Sequence, residues 1–310
     1  MYDRKTDGDI LAILLTDKTT GKNIQWLTKD YESIGEGCLE TDEMTVGKIQ
    51  ENSDHIKPRV YKRKDTQKGR TKAMAEVFTP SWVCNKQDNL IDNEWFGREG
   101  VFNQEADKGW ITNHERIIFP DGKTWTDYVK STRLEITCGE SPYMVSRYDT
   151  TSGETIAVPD RIGFLDRKLR VVRENTDGER DFVRYAFDAF RASHAYEWQG
   201  DSLLLARENF LLTFIEHYMY AFGREPDRKD VMDIAHIIAW NVWQMDGLKC
   251  VVPLSCHEEV SQTSLFGDEE KTPCKGCSNG NIRGHNGDYC VIMDWENGKP
   301  IRFVDLMQKN

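Results

Sequence analysis

The sequence is short of long apolar runs and of positive charge. No stretch of its 310 residues comes near the roughly eighteen consecutive apolar residues that a membrane-spanning helix needs. The amino terminus reads MYDRKTDGD, where a signal peptide would have an apolar segment. We therefore expect no membrane insertion, no export and a cytoplasmic location. The formal net charge of −11 argues, on a first reading, against nucleic acid as a partner.

The composition is that of a folded protein with a sizeable core. Hydrophobic residues make up 38% and charged residues 30% of the chain, whose length suffices for one large domain or two modest ones. This excludes a small scaffold held together by disulfides. In a reducing compartment, the eight cysteines are expected to be buried thiols or metal ligands.

The charge is distributed unevenly along the chain. Residues 55–73 contain eight basic residues and one acidic residue, a local charge of +7 that leaves −18 for the remainder. Since salt screens charges beyond roughly 10 Å, this segment can attract phosphate locally, with Tyr61 as a stacking surface. The alternative is a solvated loop whose lysines have no partner. The candidate nucleic-acid-binding residues are Lys57, Arg59, Lys62, Arg63, Lys64, Lys68, Arg70 and Lys72.

Hydrophobic periodicity predicts both helices and strands. Apolar residues three to four positions apart predict helices over residues 178–194, 201–223 and 227–243. Shorter helices are predicted after Pro80 and over residues 125–130. Short apolar runs predict strands. The predicted strands cover residues 9–16, 24–27, 132–138, 154–158 and 168–172, and the two last runs YCVIMDW and IRFVDL. The first two are predicted to pair as a hairpin.

The order of these elements predicts an α/β fold with a parallel sheet flanked by helices. In such folds, ligands bind beyond the carboxyl ends of the strands. We expect residues 1–75 to form an N-terminal extension with the hairpin and the basic segment. Residues 76–310 would form the main domain, with a cysteine-rich insertion at about 256–290.

Four short stretches carry a resemblance to a known family. They are AEVFTP (75–80), LEITCGESPYM (134–144), AYEWQGDSLLLARENFLL (195–212) and NVWQMDGL (241–248). Their order resembles that of the motifs of DNA adenine-N6 methyltransferases, in particular the modification subunits of restriction–modification systems. The resemblance covers about residues 70–250. It implies a class I fold, a Rossmann-like sheet flanked by helices that binds S-adenosylmethionine, and DNA as the substrate.

The FTP segment is the first match. By the resemblance, Phe78, Thr79 and Pro80 line the methionine side of the cofactor pocket. An FTP tripeptide is also an ordinary turn sequence.

Acidic residues and a glycine turn follow. By the resemblance, Glu135, Cys138 and Gly139 form the first-strand motif, in which glycine lets backbone amides approach the cofactor. Glu197 matches the acid that accepts hydrogen bonds from the ribose hydroxyls, and Asp246 the acid that binds the adenine amino group. The alternatives are structural: a buried thiol at Cys138, a helix amino terminus at Glu197 and a turn at Asp246.

The last motif departs from the family pattern. Asp294 and Trp295 stand where the active enzymes have a tetrapeptide such as Asn-Pro-Pro-Tyr. By the resemblance, Asp294 would accept a hydrogen bond from the target amine, and the Trp295 ring would stack on the flipped base. The sequence there fits a hairpin turn equally well. Ser141 also replaces the second glycine of the first-strand motif. With few residues after Asp294, we expect a partner chain to supply target recognition, or a fold kept for another purpose.

A cluster of cysteines predicts a metal site near the carboxyl terminus. Cys274 and Cys277 have the two-residue gap that lets both sulfurs reach one tetrahedral ion. Cys256 and Cys290 would complete a structural zinc site, and His257 and His285 are nearby. The alternative is a flexible loop with a reduced dithiol. The candidate metal ligands are Cys256, Cys274, Cys277 and Cys290.

Two functions follow from these observations. The first is a methyltransferase-like protein that binds S-adenosylmethionine and methylates adenine N6 in DNA, in a restriction–modification or phage-defence setting. The second keeps the fold without the chemistry, as a module that binds nucleic acid or protein.

Overall fold

The structure, a computed structural model, describes residues 2–62, 64–74, 78–262 and 269–307, which form an α/β fold. The α-helices are α1 Gly8–Leu15, α2 Val46–Glu51, α3 Lys64–Met74, α4 Ser81–Phe96, α5 Trp125–Lys130, α6 Phe164–Asn175, α7 Glu179–Arg191, α8 Gly200–Phe222, α9 Arg228–Asn241 and α10 Lys275–Asn279. The strands are β1 Asn103–Ala106, β2 Gly109–Thr112, β3 Arg133–Glu135, β4 Ser193–Glu197, β5 Val242–Gln244, β6 Glu259–Gln262, β7 Glu269–Thr272, β8 Val291–Asp294 and β9 Lys299–Arg302.

Three parallel strands form the central sheet, in the order β3-β4-β5. Ala195 in β4 pairs with Glu135 on one side and with Val242 on the other. Two helices fill each connection, α6 and α7 and then α8 and α9, because a parallel pair needs a long crossover. All three strands therefore end at one edge, the carboxyl edge, with Glu135, Glu197 and Gln244 as their last residues.

Helix α8 lies in the middle of the core. It is buried on several faces and is capped by Gly223, whose φ of +70° is left-handed, so the helix predicted over 201–223 is confirmed. The helices predicted over 178–194 and 227–243 are confirmed as α7 and α9, and the one over 125–130 as α5. Within the described ranges, no helix combines the length and the apolar character needed to cross a bilayer.

The hairpin predicted from residues 9–16 is wrong, because that run forms helix α1. Its apolar side chains lie on the side that packs against α8 and α9. A short apolar run does not by itself distinguish a buried strand from a buried helix. The buried residues of α1 are Ile10, Leu11, Leu14 and Leu15.

The strand predicted at residues 168–172 lies inside helix α6. Two cations of this helix are buried with partners: Arg167 pairs with Asp92 at 2.6 Å, and the Lys168 ammonium donates to backbone carbonyls. A sequence pattern that treats every charge as exposed misses such a helix. Residues 154–158 contain a single isolated β-bridge instead of the predicted strand.

Residues of the predicted N-terminal extension share the main core with α8 and α9. Ile10 and Ile56 belong to the same hydrophobic cluster, and Trp26 is fully buried in it. The Trp26 carbonyl accepts the Gly200 N–H at 2.9 Å, and the neighbouring backbone bonds to the side chain of Gln244. This segment therefore lies against the carboxyl edge of the sheet.

The two last strands form an antiparallel hairpin outside the central sheet. Strand β8 pairs with β9, which confirms the hairpin alternative for the DWENGK sequence. A second hydrophobic cluster joins this hairpin to one face of the central sheet. Its buried members are Tyr196, Trp243, Met245, Cys250, Cys290, Ile292 and Val304.

Candidate functional site and metal centre

The turn after β3 contains three residues with positive φ. Thr137, Gly139 and Ser141 have φ of +46°, +56° and +64°. Glycine adopts this conformation freely, whereas Ser141 stands where the resemblance expects a second glycine. Two hydrogen bonds hold it there: its N–H donates to the Cys138 carbonyl at 2.8 Å, and its Oγ donates to Glu135 Oε2 at 2.6 Å. The turn therefore keeps a left-handed backbone without the second glycine.

Phe78 packs directly on this turn. A Cβ added to Gly139 would lie 3.1 Å from Cε1 of the Phe78 ring. The Arg59 guanidinium lies over the same ring, 5.2 Å from its centroid, in a cation–π contact. The backbone N–H of Arg59 also donates to Glu140 Oε1 at 2.6 Å. The structure thus brings Phe78 and Gly139 together and places Arg59 beside them.

Glu197, the last residue of β4, faces the same turn. Its Oε2 accepts the Gly139 N–H at 2.8 Å, and its Oε1 accepts the N–H groups of Trp198 and Gln199 at 2.9 and 3.1 Å. Burial raises the pKa of the Glu197 carboxyl, and these backbone hydrogen bonds offset part of that shift. Because a carboxylate oxygen has two lone pairs, Oε2 keeps one position for a further donor.

The buried carboxyl of Glu135 forms hydrogen bonds with the same turn. Its carboxyl accepts the Ser141 hydroxyl and the Met144 N–H, the latter at 3.2 Å. Burial raises the pKa of Glu135 to about 8, although these hydrogen bonds oppose the shift. Burial also raises the pKa of the Cys138 thiol, which the alternative interpretation describes as a buried thiol. Both side chains are therefore enclosed in the protein.

Asp246 lies two residues beyond β5, at the carboxyl edge. It is joined to Glu197 through the preceding residue, because the Met245 N–H donates to the Glu197 carbonyl at 3.0 Å. The Asp246 carboxylate accepts the Leu248 N–H at 3.1 Å and lies 3.1 Å from the Lys249 ammonium. These are the contacts of a turn, and they engage both carboxylate oxygens.

Thr79 and Pro80 lead the chain from Phe78 into α4. The Thr79 carbonyl accepts the Thr150 hydroxyl at 3.1 Å. Pro80 lines a surface cavity of about 340 Å³ together with Trp82, and Gly139 is not among the residues that line this cavity. Of the FTP residues, Phe78 packs directly on Gly139.

The basic segment folds onto the body of the protein through buried ion pairs. The Lys62 ammonium lies 2.7 Å from Asp201 Oδ2, and Arg70 lies 3.1 Å from the same oxygen and 2.6 Å from Asp30. The side chains of Lys62 and Arg70 are 7% and 1% exposed. Their prediction as phosphate contacts is therefore corrected, because both cations are enclosed and paired with carboxylates.

The other predicted nucleic-acid-binding residues are placed differently. Lys57, Lys64 and Lys72 are exposed. Arg63 lies outside the described residues, as does the side chain of Lys68. Three cations of the segment are therefore known to face solvent.

Asp201 is a residue whose role sequence reasoning missed. As the first residue of the helix predicted over 201–223, it lies in the first turn of α8, fully buried, where it also accepts the Tyr31 hydroxyl at 3.0 Å. Burial raises the pKa of the Asp201 carboxyl, but Lys62 and Arg70 lower it to well below its usual range. These partners are more than 130 residues away in sequence, so no local pattern could identify them.

Asp294 and Trp295 lie away from the carboxyl edge. The Trp295 indole donates to Asn241 Oδ1 at 2.9 Å, and the Asn241 amide donates to the carbonyl of Ser193, the first residue of β4. Asp294 accepts the Asn297 amide at 2.7 Å within the hairpin turn. Because Asn241 and Ser193 are at the amino ends of the strands, the structure does not bring Asp294 and Trp295 to the predicted cofactor residues.

Three thiols and one imidazole meet in the loop before β8. The ligand atoms of Cys256, Cys274, Cys277 and His285 all lie within 4.8 Å of one another, and His285 Nδ1 is 3.6 Å from each sulfur. A tetrahedral zinc site, with Zn–S of about 2.3 Å and Zn–N of about 2.0 to 2.1 Å, has an S···N edge of about 3.6 Å. This group could hold a metal ion such as zinc.

Cys290, predicted as a metal ligand, is not part of this group. It is fully buried, and its Sγ lies 3.4 Å from the Gln244 carbonyl. The packing of β8 on the central sheet turns this side chain into the second hydrophobic cluster. His285, one of the two histidines that lie near the cysteines in sequence, completes the group instead.

The loop is shaped around these ligands. A Cβ added to Gly276 would lie 2.6 Å from both N and Nδ1 of His285. The Asn286 N–H donates to Cys274 Sγ at 3.3 Å, and the His285 N–H donates to the Tyr289 hydroxyl at 3.0 Å. Although burial raises the pKa of the Cys274 thiol, hydrogen bonds led by the Asn286 N–H lower it to about 6. A thiolate is the form that binds a metal.

The chain matches no protein-family model, and it has no significant similarity to a curated protein or to a solved structure. Its function is therefore argued from the carboxyl edge of the sheet and from the Cys3His group.

Proposed function

We propose that this protein binds S-adenosylmethionine at the carboxyl edge of its central sheet. It would be the cofactor-binding component of a methyltransferase that acts on adenine N6 in DNA, in a restriction–modification or phage-defence setting. The observation that supports this is the convergence of Phe78, Gly139 and Glu197. These residues come from three separate parts of the chain, and the resemblance assigns each of them to the same cofactor.

The chemistry of these residues suits a nucleoside cofactor. Gly139 allows the turn its positive φ and its close contact with Phe78, and the Phe78 ring would offer an apolar face to a methionine side chain. The remaining acceptor position on Glu197 Oε2 would take one ribose hydroxyl. Asp246 would accept the adenine amine, which would compete with Lys249 for one oxygen. When bound, the cofactor supplies an electrophilic methyl group on its sulfonium centre.

Methyl transfer also requires groups that hold the target amine. Asp294 and Trp295 match them by order along the chain, but they are at the amino end of the sheet. We therefore propose that a partner chain supplies the amine-binding groups and target recognition. This chain would contribute cofactor binding.

Isothermal titration calorimetry with S-adenosylmethionine tests cofactor binding. We expect the wild type to bind and Glu197→Gln to bind at least about tenfold more weakly, because a carboxylate accepts stronger hydrogen bonds than an amide. Glu99→Gln, an exposed site, is the matched control and should bind as the wild type does. Absence of heat with the folded wild type would overturn the proposal.

A radiolabelled methyl-transfer assay on duplex DNA tests the division of labour. We expect no transfer by this chain alone. Transfer that is abolished in Asp294→Ala would return the catalytic role to Asp294 and overturn the partner-chain component.

A second candidate function is a module that binds nucleic acid without chemistry. The exposed side chains of Lys57, Lys64 and Lys72 favour it, since they project from the segment that leads to Phe78. Fluorescence anisotropy with duplex DNA at low salt tests it. Binding lost in the triple Gln variant, together with no heat from S-adenosylmethionine, would favour this function over the first.

We propose that the ion held by the Cys3His group is zinc, in a structural role. Four protein ligands leave no open coordination position for substrate. Elemental analysis of the purified protein should find one zinc per chain.

A further inference from the structure

The Asp246 turn and the metal group belong to one hydrogen-bonded unit. Val251 forms antiparallel bridges with Asp246 on one side and with Tyr289 on the other. The Cys250 N–H donates to the Asp246 carbonyl at 2.8 Å, and the Cys290 N–H donates to the Cys250 carbonyl at 3.0 Å. A displacement of either the 246–251 segment or the 288–290 segment therefore moves the other.

Two of the metal ligands flank these segments. Cys256 follows the first segment, and His285 precedes the second and donates its N–H to Tyr289. Ser255 Oγ accepts the Asp288 N–H at 3.0 Å, which closes the pair just beside the ligands. A metal ion bound by Cys256 and His285 would therefore clamp the two segments together.

Few of the described side chains in this loop are buried. Between residues 256 and 289, only Cys274 and Gly276 are buried among the residues whose side chains the structure describes. Ile282 and Tyr289 pack against the second hydrophobic cluster, and Arg283 donates to the carbonyls of Val304 and Met307. The order of the loop therefore depends on these contacts, on backbone hydrogen bonds and on the ligands.

Lys249 connects the two sites electrostatically. Its ammonium lies 3.1 Å from Asp246 Oδ2. The hydrogen bond to Asp246 raises the pKa of the Lys249 ammonium, and Lys249 belongs to the 246–251 segment that leads to Cys256. An ion with a charge of +2 bound by three thiolates and one neutral imidazole leaves a net charge of about −1, which this ammonium offsets.

We propose that the metal ion holds the Asp246 turn in place, and that Lys249 is the positioning residue that orients the Asp246 carboxylate between the two sites. Metal occupancy would then control ligand binding at the carboxyl edge of the sheet. The consequence for S-adenosylmethionine rests on the proposed function, whereas the ordering of the turn does not.

Hydrogen exchange of the full chain, zinc-loaded and stripped by a chelator, tests the ordering. We expect the amides of Asp246, Cys250 and Cys290 to exchange at least about tenfold faster without metal, because their acceptors lie in the clamped segments. The amides of Cys138 and Met245, which bond to β4, are the internal reference and should be unchanged.

Two results would overturn the proposal. The first is unchanged exchange at the three turn amides after elemental analysis shows that the zinc has left. The second is an equal acceleration at Cys138 and Met245, which would assign the metal to the whole fold instead of the turn.

Lys249→Met tests the positioning role, with Lys275→Met as the control beside the metal group but away from Asp246. We expect Lys249→Met to keep its zinc. Its affinity for S-adenosylmethionine should differ several-fold from that of Lys275→Met. The affinity rises if the freed Asp246 Oδ2 dominates and falls if the lost orientation of the Asp246 carboxylate dominates. Lys249→Arg should restore wild-type binding. Equal affinities in the two Met variants would overturn the role of Lys249, whereas a wild type that does not bind would overturn the proposed function and leave the exchange experiment to decide the ordering.

Discussion

The turn after β3 and the metal loop hold irregular backbone by opposite means. In the turn, the buried carboxyls of Glu135 and Glu197 accept the hydrogen bonds that the backbone and Ser141 donate. In the loop, the groups that meet are the three thiols and the imidazole, and each of them can serve as a ligand for the same ion. The turn thus contains the donors and the acceptors of its hydrogen bonds, whereas the four ligand groups of the loop would be joined to one another by the ion that they share. We expect a chelator to disturb the loop and to leave the turn intact.

Removing one thiol of the metal loop should have the largest effect, a loss of bound zinc that leaves the turn after β3 unchanged. We expect Cys274→Ser to lose zinc, because three ligands cannot complete the tetrahedral shell. Cys290→Ser is the matched control, since Cys290 is buried but lies outside the group. Elemental analysis after gel filtration measures both variants. Full zinc content in Cys274→Ser would remove Cys274 from the ligand set.

Glycine-to-alanine substitutions compare how the metal loop and the turn after β3 tolerate an added methyl group. Gly276→Ala places a Cβ against the backbone of His285, so we expect the zinc affinity to fall about tenfold to a hundredfold, as for other supporting residues of metal sites. Gly139→Ala meets the movable Phe78 ring and strains a positive φ, and should cost about 1 kcal/mol of stability with no effect on zinc. Chelator competition and urea unfolding measure the two effects. A larger loss of zinc in Gly139→Ala would reverse the expected ranking.

The turn should also depend on the hydroxyl of Ser141. We expect Ser141→Ala to lower the free energy of unfolding by about 1 to 3 kcal/mol, because the buried Glu135 carboxyl loses a donor. Ser141→Gly removes the same hydroxyl but relieves the positive φ, and should be less destabilising than the alanine variant. Urea unfolding with a constant slope provides the measurement. Equal stabilities of all three proteins would show that the hydrogen bond contributes nothing.

The pH dependence of stability sharpens the role of Glu135. Burial raises its folded pKa to about 8, above the ordinary 4.5, so its protonated form is favoured by folding. Its contribution to stability is fully present below pH 4.5 and is lost as pH rises through about 8. Between pH 4.5 and 7 the wild type should lose on the order of 3 kcal/mol of stability that Glu135→Gln keeps, so the variant should have the flatter stability profile. Parallel profiles in the two proteins would contradict this assignment.

Sequence reasoning identified the elements whose signals are local. The helices α7, α8 and α9 followed from apolar spacing, and the Cys274 and Cys277 pair followed from its two-residue gap. Where a signal was ambiguous, it failed: the apolar run at 9–16 is helical, and buried charges hid helix α6. Such ambiguities are resolved by what lies across the core, which no short window contains.

The partners of charged groups were beyond the reach of sequence patterns. The +7 segment suggested a phosphate-binding surface, but Lys62 and Arg70 are enclosed with Asp201, from another part of the chain. The fourth metal ligand was also ambiguous, because Cys290 and His285 are both close in sequence to Cys277. The choice between them depended on which side chain the packing of β8 turned inward.

The sequence by itself determined the α/β class, the main helices and the residues able to meet at one edge of a parallel sheet. Only the tertiary structure decided which of them do meet: Phe78 and Gly139 are in contact, whereas Asp294 and Trp295 lie at the other end. The reason is physical. Periodicity and turn chemistry act over a few residues, while strand order, burial and charge pairing depend on contacts between segments far apart in the chain.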